Sequence, residues 1–569
     1  MSYDLVIRNG RIVDGTGLPA YRGDVGIRDG KIVEIGRIHD SDARVLNADG
    51  LVVAPGFIDH HTHFDAQNLW DPLASSSCWH GVTTVVTGNC SLSLAPCKPA
   101  DRDGLVGCFV RVEAISRKAL EAGVDWEWLT FGEYLDRLER SRGLNVAGLV
   151  GHSAIRQWVM GDEACDRPAT PTEIGEMRRL LRESLEAGAI GFSVNQSKHH
   201  FREDGKPIPS AVAPREELIE LAGVLGELNA GILQINGGSM GVEVDPRDNY
   251  EFFKQLARAA GRPIVFNTIS QRYQAPESWQ EALRLAEEAI AEGYRIYGTG
   301  STTPITFNFT LLNAQVMFDH MPAWHDLMFA PKAERIAAFS DAARRPAFRF
   351  DAAEDTTPRN FHKRWELVEI IKTQRPEHRK WENKSVVDLA AAEGKHPVDA
   401  FLDLALSEDL ETQFNTVMVN GDKPSVAQIL RHPGVLVGTS DGGAHTAFLA
   451  DYGYCTELLG PWVRDRGLMS LEEAVSKLTL VPATIFGLDD RGQIRPGFTA
   501  DLVVFDPATV GPEKPHLEYD YPAGEGRLVQ PARGIRATIV NGEVLTEEGR
   551  HTGALPGHVL RNARAVSLV

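Results

Sequence analysis

Two imidazoles one residue apart, His61 and His63, stand where a short apolar run ends: residues 51–54 feed through Pro55-Gly56 into Phe57-Ile58, and the histidines follow. Side chains alternate along a strand, so if residues 57–63 are extended, His61 and His63 share a face and His60 takes the other. Such a pair can hold one divalent ion from a single side. Two solvated loop histidines would be spelled the same way. What separates these readings is whether other apolar runs also end in ligand-type residues. The run 83–87 is followed by Gly88-Asn89-Cys90, the run 146–150 by Gly151-His152-Ser153, and the run 435–437 by Gly438-Thr439-Ser440-Asp441-Gly442-Gly443-Ala444-His445.

Cys90 is either a buried apolar thiol, the usual state of a free cysteine, or a thiolate ligand. Asp441, before two glycines, is either a turn-stabilising Asx residue or a carboxylate that touches both a metal and a water. Placed together, His61, His63, Cys90 and Asp441 are a hydrolytic set. Zinc polarises a carbonyl and brings the pKa of water near 7, and Asp441 takes the proton and returns it to the leaving group. His152 is a candidate substrate contact. His199 and His200, in the polar stretch after residues 190–194, read as solvated loop residues.

The elements that must position these residues follow from the pattern. Apolar runs at 57–61, 83–87, 146–150, 190–194, 232–235, 264–266, 295–297 and 435–437 alternate with amphipathic stretches such as 172–186, 215–228 and 279–292. Eight strand–helix units in series predict an α/β fold, a (β/α)8 TIM-type barrel whose chemistry gathers at the C-terminal strand ends. Residues 1–55 instead read as short strands joined by Asn9-Gly10 and Asp29-Gly30 turns, and residues 481–569 have the same texture. Neither end closes a sandwich alone, so a small β-sandwich domain built from both termini is expected beside a barrel over 56–480. About 130 residues part the seventh and eighth strands, so a long insertion at about 302–434 is expected to cover the barrel mouth.

Bulk composition narrows the partners. The 569 residues carry a net charge of −19 with 43% hydrophobic content, which fits a soluble globular protein and disfavours nucleic acid or an anionic membrane. No apolar run approaches the roughly 18 residues of a membrane helix, and no signal peptide is visible. Six scattered cysteines fit reduced thiols in a cytoplasmic protein. A small-molecule substrate is the expected partner, with homo-oligomer formation open.

At these residues the chain resembles the amidohydrolase superfamily, in particular the D-aminoacylase (N-acyl-D-amino-acid deacylase) branch. The likeness covers residues 55–63, Trp79-His80-Gly81-Val82 through Asn89-Cys90, Ala187-Gly188-Ala189-Ile190-Gly191-Phe192-Ser193, Ser440-Asp441-Gly442, and Pro496-Gly497-Phe498-Thr499-Ala500-Asp501-Leu502-Val503-Val504-Phe505. The resemblance implies His61 and His63 as first-strand ligands, Cys90 as an unusual thiolate ligand and Asp441 as acid/base and metal contact. It also implies histidines at the ends of strands five and six, which are missing: Asn236 and Asn267 (or Thr268) stand there. Neutral amides are weak zinc ligands. One zinc ion on His61, His63 and Asp441 is therefore expected rather than two, or a rearranged site recruiting His152 or the insertion, with Asn236 and Asn267 turned to substrate.

The leading expectation is metal-dependent hydrolysis of an amide-type C–N bond in a small molecule such as an N-acyl amino acid. The alternatives are another bond (ester, lactone, cyclic amide or C–C) or a barrel that only binds. For a substrate carboxylate, Arg156, Lys198, Arg202 and Arg272 are candidates by position. Phe307, Phe309, Phe318, Trp324 and Phe329 of the insertion are expected to form an apolar pocket wall.

Overall fold

The computed structural model describes residues 2–39, 42–318, 321–353, 361–446 and 451–562. Its centre is eight parallel strands, in order Phe57–Asp59, Val82–Thr87, Asn145–Gly151, Gly191–Asn195, Ile232–Asn236, Ile264–Asn267, Ile296–Gly300 and Val435–Val437. Their runs are short and apolar because helices cover one face and the barrel interior the other, so alternation disappears. Strand eight meets strand one through a parallel bridge between Thr62 and Gly442, where the His63 amide donates to Gly442 O at 2.7 Å. That seam brings the first and eighth ligand groups side by side.

Helix boundaries follow local chemistry. Pro171–Glu186 opens on a capping box, with the Thr170 hydroxyl accepting from Glu173 N and proline at the first turn. Arg215–Leu228 ends at Asn229 in the left-handed region. In the small domain, strands from both ends of the sequence join one nine-stranded sheet: Leu502–Phe505 runs antiparallel to Val52–Pro55, which lies beside Leu5–Ile12. A core running from Leu5, Val25 and Ile32 to Val504 and Ile539 fills it.

Two features differ from expectation. The insertion is a folded unit, with a four-stranded antiparallel sheet (Ile305–Phe309, Gln413–Val419, Val368–Lys372, Lys384–Ser385) and its own helices. Phe307, Phe309, Phe318 and Trp324 are buried in that unit's own core with Phe401 and Phe414, so they form no pocket wall. Aromatic enrichment is the same whether rings pack on each other or line a cavity. Phe329 is exposed and lies under the Arg111 guanidinium. Second, Val559–Leu560 leaves the small domain and pairs in parallel with Val146 and Ala147 of strand three.

Candidate active site

Strand one's ladder ends at Asp59, yet the alternation holds through the following turn. His60 points away, its Nε2 3.3 Å from Val437 O and its ring stacked on Phe486. His61 and His63 converge, ring centroids 5.3 Å apart. Strand two delivers Cys90 through a tight turn that needs Gly88: its φ is +80°, and a Cβ there would sit 1.9 Å from Leu149 O. Cys90 itself has φ +53°, held by its amide donating to Gln234 Oε1 at 2.9 Å. Asp441, at φ +46°, follows Ser440, whose hydroxyl bonds Asp59 at 2.6 Å. Gly443 lets this loop lie against His63, since a Cβ would meet His63 O at 2.7 Å. Left-handed non-glycine residues cost of order 1–3 kcal/mol and gather at functional sites. Here Cys90 and Asp441 are among them, with Ser91, Thr439 and His445 in the same loops.

The resulting distances suit one cation. His61 Nε2 is 3.6 Å from Cys90 Sγ and 3.2 Å from Asp441 Oδ1, and His63 Nε2 is 3.8 Å from the same oxygen. Ligands bound to zinc at about 2.0–2.3 Å in a tetrahedron lie about 3.3–3.8 Å apart. His61, His63 and Cys90 offer donor atoms all within 4.8 Å of one another, alone among the described residues in forming such a group of three or more. Electrostatics point the same way. Burial, then Glu113 and Asp441, pushes the Cys90 thiol well up, and burial with the neighbouring His61 pushes His63 well down. Burial would raise Asp441, but the His61 hydrogen bond and the His61 and His63 charges outweigh it and hold the carboxylate ionised. A buried thiol and two imidazoles gathered beside a carboxylate are a donor set that a divalent cation completes. The residues fit a metal ion.

The family model for the amidohydrolase family matches residues 44–546. The chain belongs to the amidohydrolase family. The "Urease alpha-subunit, N-terminal domain" model also matches residues 1–57. The D-aminoacylase of Alcaligenes xylosoxydans xylosoxydans is 29% identical, covering 99% of this chain and 98% of the relative. The N-acyl-D-glutamate deacylase of Bordetella bronchiseptica, solved with zinc and a phosphonate inhibitor, superposes with a TM-score of 0.67 at 27% identity, over 99% of this chain and 100% of that one. A D-aminoacylase solved in a study of its binuclear metal centre gives 0.67 at 28%, over 98% and 100%. This amidohydrolase is of the D-aminoacylase-like branch, a metal-dependent hydrolase of amide-type C–N bonds.

Within this amidohydrolase the remaining expected residues fall apart into two groups. Asn236 and Asn267 are at the site and turn inward: both amides hydrogen-bond the Cys90 sulfur, and Asn267 Nδ2 lies 3.5 Å from it and 3.3 Å from His61 Nε2. His152 is elsewhere in function. Its Nδ1 meets Ser210 Oγ at 2.9 Å and its Nε2 meets Glu217 Oε1 at 3.0 Å, so no ring nitrogen remains for substrate. Arg156 is buried in the same network, 2.8 Å from Glu217, and Arg202 pairs with Asp204. His199 is no solvated residue either, lying 2.8 Å from Glu243, and His200 is held by Asn195. Glu113 was not foreseen. It follows helix Arg102–Val112, is 2% exposed, and places Oε1 3.3 Å from His63 Nδ1. A lone glutamate after a helix carries no sequence signal.

Proposed function

We propose that this amidohydrolase removes the acyl group from an N-acylated amino acid, with one divalent ion held by His61, His63 and Cys90 and with Asp441 as acid/base. The observation that carries the reading is the Asp441 carboxylate, kept ionised and 3.2 Å from the imidazole of a ligand histidine. Zinc suits a set of thiolate, imidazole and carboxylate; when bound, it supplies the Lewis acidity that polarises an amide carbonyl and brings a water's pKa near 7. Asp441 accepts a proton from the attacking water and returns it to the amide nitrogen. The C–N bond then breaks, and a carboxylic acid and a free amine leave. Asn236 and Asn267, which hydrogen-bond the sulfur where the resemblance calls for histidines, support one ion rather than two.

The substrate class rests on the named relatives, which include D-aminoacylase, N-acyl-D-aspartate deacylase and N-acyl-D-glutamate deacylase. Arg272 supplies a matching cation: half-buried, on the segment after strand six that bridges to Val419 of the insertion, with Glu243 as its charged neighbour. We assign it to the substrate carboxylate. Elemental analysis of the purified protein, with turnover of N-acetyl amino acids of both hands, tests the reading. One ion per chain and amine release are expected. A metal-loaded protein that releases no amine from any of them would falsify it.

A further inference from the structure

We infer that Glu113 is a positioning residue, a buried carboxyl clamp that joins the first-strand histidines to the eighth-strand loop and sets the tautomer of His63. This rests on the metal-site reading above and deepens it. His63 Nε2 faces Asp441 Oδ1 at 3.8 Å, while its Nδ1 faces Glu113 Oε1 at 3.3 Å. His63 Nδ1 and Glu113 Oε1 face each other at that distance, and neither makes a hydrogen bond among the described residues. An imidazole that offers Nε2 to a cation carries its proton on Nδ1, and that N–H needs an acceptor. Glu113 Oε1, 3.3 Å away, is placed to become that acceptor.

The same residue reaches the opposite side of the barrel seam. Its other oxygen lies 3.8 Å from His445 Nε2, and its backbone carbonyl accepts the His445 amide at 2.5 Å. His445 closes the loop that begins at Asp441, with the Ala444 amide bonded back to Asp441 O at 2.8 Å. One residue at a helix end therefore touches a ligand histidine and the loop that carries Asp441. Among the described residues the carboxyl forms no ion pair with lysine or arginine, and burial together with the nearby Asp441 and Asp65 carboxylates pushes it well up. A carboxyl so placed is expensive unless imidazoles and a cation face it.

The test uses metal binding as well as turnover. Parent, E113Q and E113A proteins are stripped, then titrated with cobalt(II) against a chelator while the visible ligand-field bands are recorded. Expected for E113A is a 10- to 100-fold loss of affinity, the usual effect of removing a partner of a ligand histidine, with shifted bands. E113Q keeps an oxygen acceptor for Nδ1–H, so it recovers part of that loss. Glutamine is nearly isosteric, so E113Q reports even where E113A does not fold. Cobalt affinity within twofold of the parent and unmoved bands in E113Q would overturn the inference. A parent that takes up no cobalt would instead sink the metal-site reading itself, which keeps the two failures apart.

Discussion

Asp441 sits where burial and charge pull in opposite directions, and the imidazoles decide the contest. Replacing it by asparagine keeps the shape and removes the base. D441N is expected to fold normally by circular dichroism and to lose a hundredfold or more in turnover, within the general acid–base range of about 10²–10⁴. Near-parent turnover would end its role. His152 belongs to a different economy of the fold. Burial works to raise the Glu217 carboxyl, yet the His152 hydrogen bond and the Arg156 guanidinium bring it down to about 2. A folded value below the unfolded one near 4.5 gives stability that is present above pH 4.5 and lost as pH falls toward 2. E217Q should therefore lower the thermal midpoint at pH 7, through a loss on the order of 3 kcal/mol. The gap to the parent should close between pH 4.5 and 2; a gap constant with pH would refute the linkage. Both His152 and Asp441 follow an apolar run in the sequence, and only packing distinguishes the one consumed by a buried ion pair.

Strand ends were the legible part of the chain. Apolar runs, most of them beside a glycine, mark the eight barrel strands, and the ligand types just beyond them point to His61, His63, Cys90 and Asp441 without coordinates. Glu113 escaped because it reaches the site from the end of a helix, where spacing says nothing about direction. Strands five and six carry the clearest consequence. With Asn236 and Asn267 both turned to the Cys90 sulfur, the double variant N236H/N267H should raise bound zinc from one to two ions per chain. Plasma emission spectrometry on dialysed protein would show it, and a ratio unchanged at one would mean these positions cannot ligate.

Among the described residues the three largest cores are those of the barrel, the insertion and the two-ended sheet. Composition could not assign the insertion's aromatics, because a self-packed unit and a pocket wall use the same residues. Trp324 is fully buried among Phe318, Phe339 and Phe348. W324A is thus expected to destabilise by about 3–5 kcal/mol while leaving the ranking of substrates unchanged; an altered ranking would restore the wall. No helix among the described residues is long and apolar enough to cross a membrane.

Val559 and Leu560 lie beside strand three, more than 400 positions upstream in the chain, and Asn562 caps the contact by bonding Leu185 O and Ala189 O. A ribosome releases the barrel's eight staves long before it releases this strip. Until it emerges, Val146 and Ala147 of stave three lack this partner strand, whatever order the helices dock in. Docking of this strip onto stave three is consequently a late step of folding, and chains stalled before residue 559 should be the ones that chaperones retain.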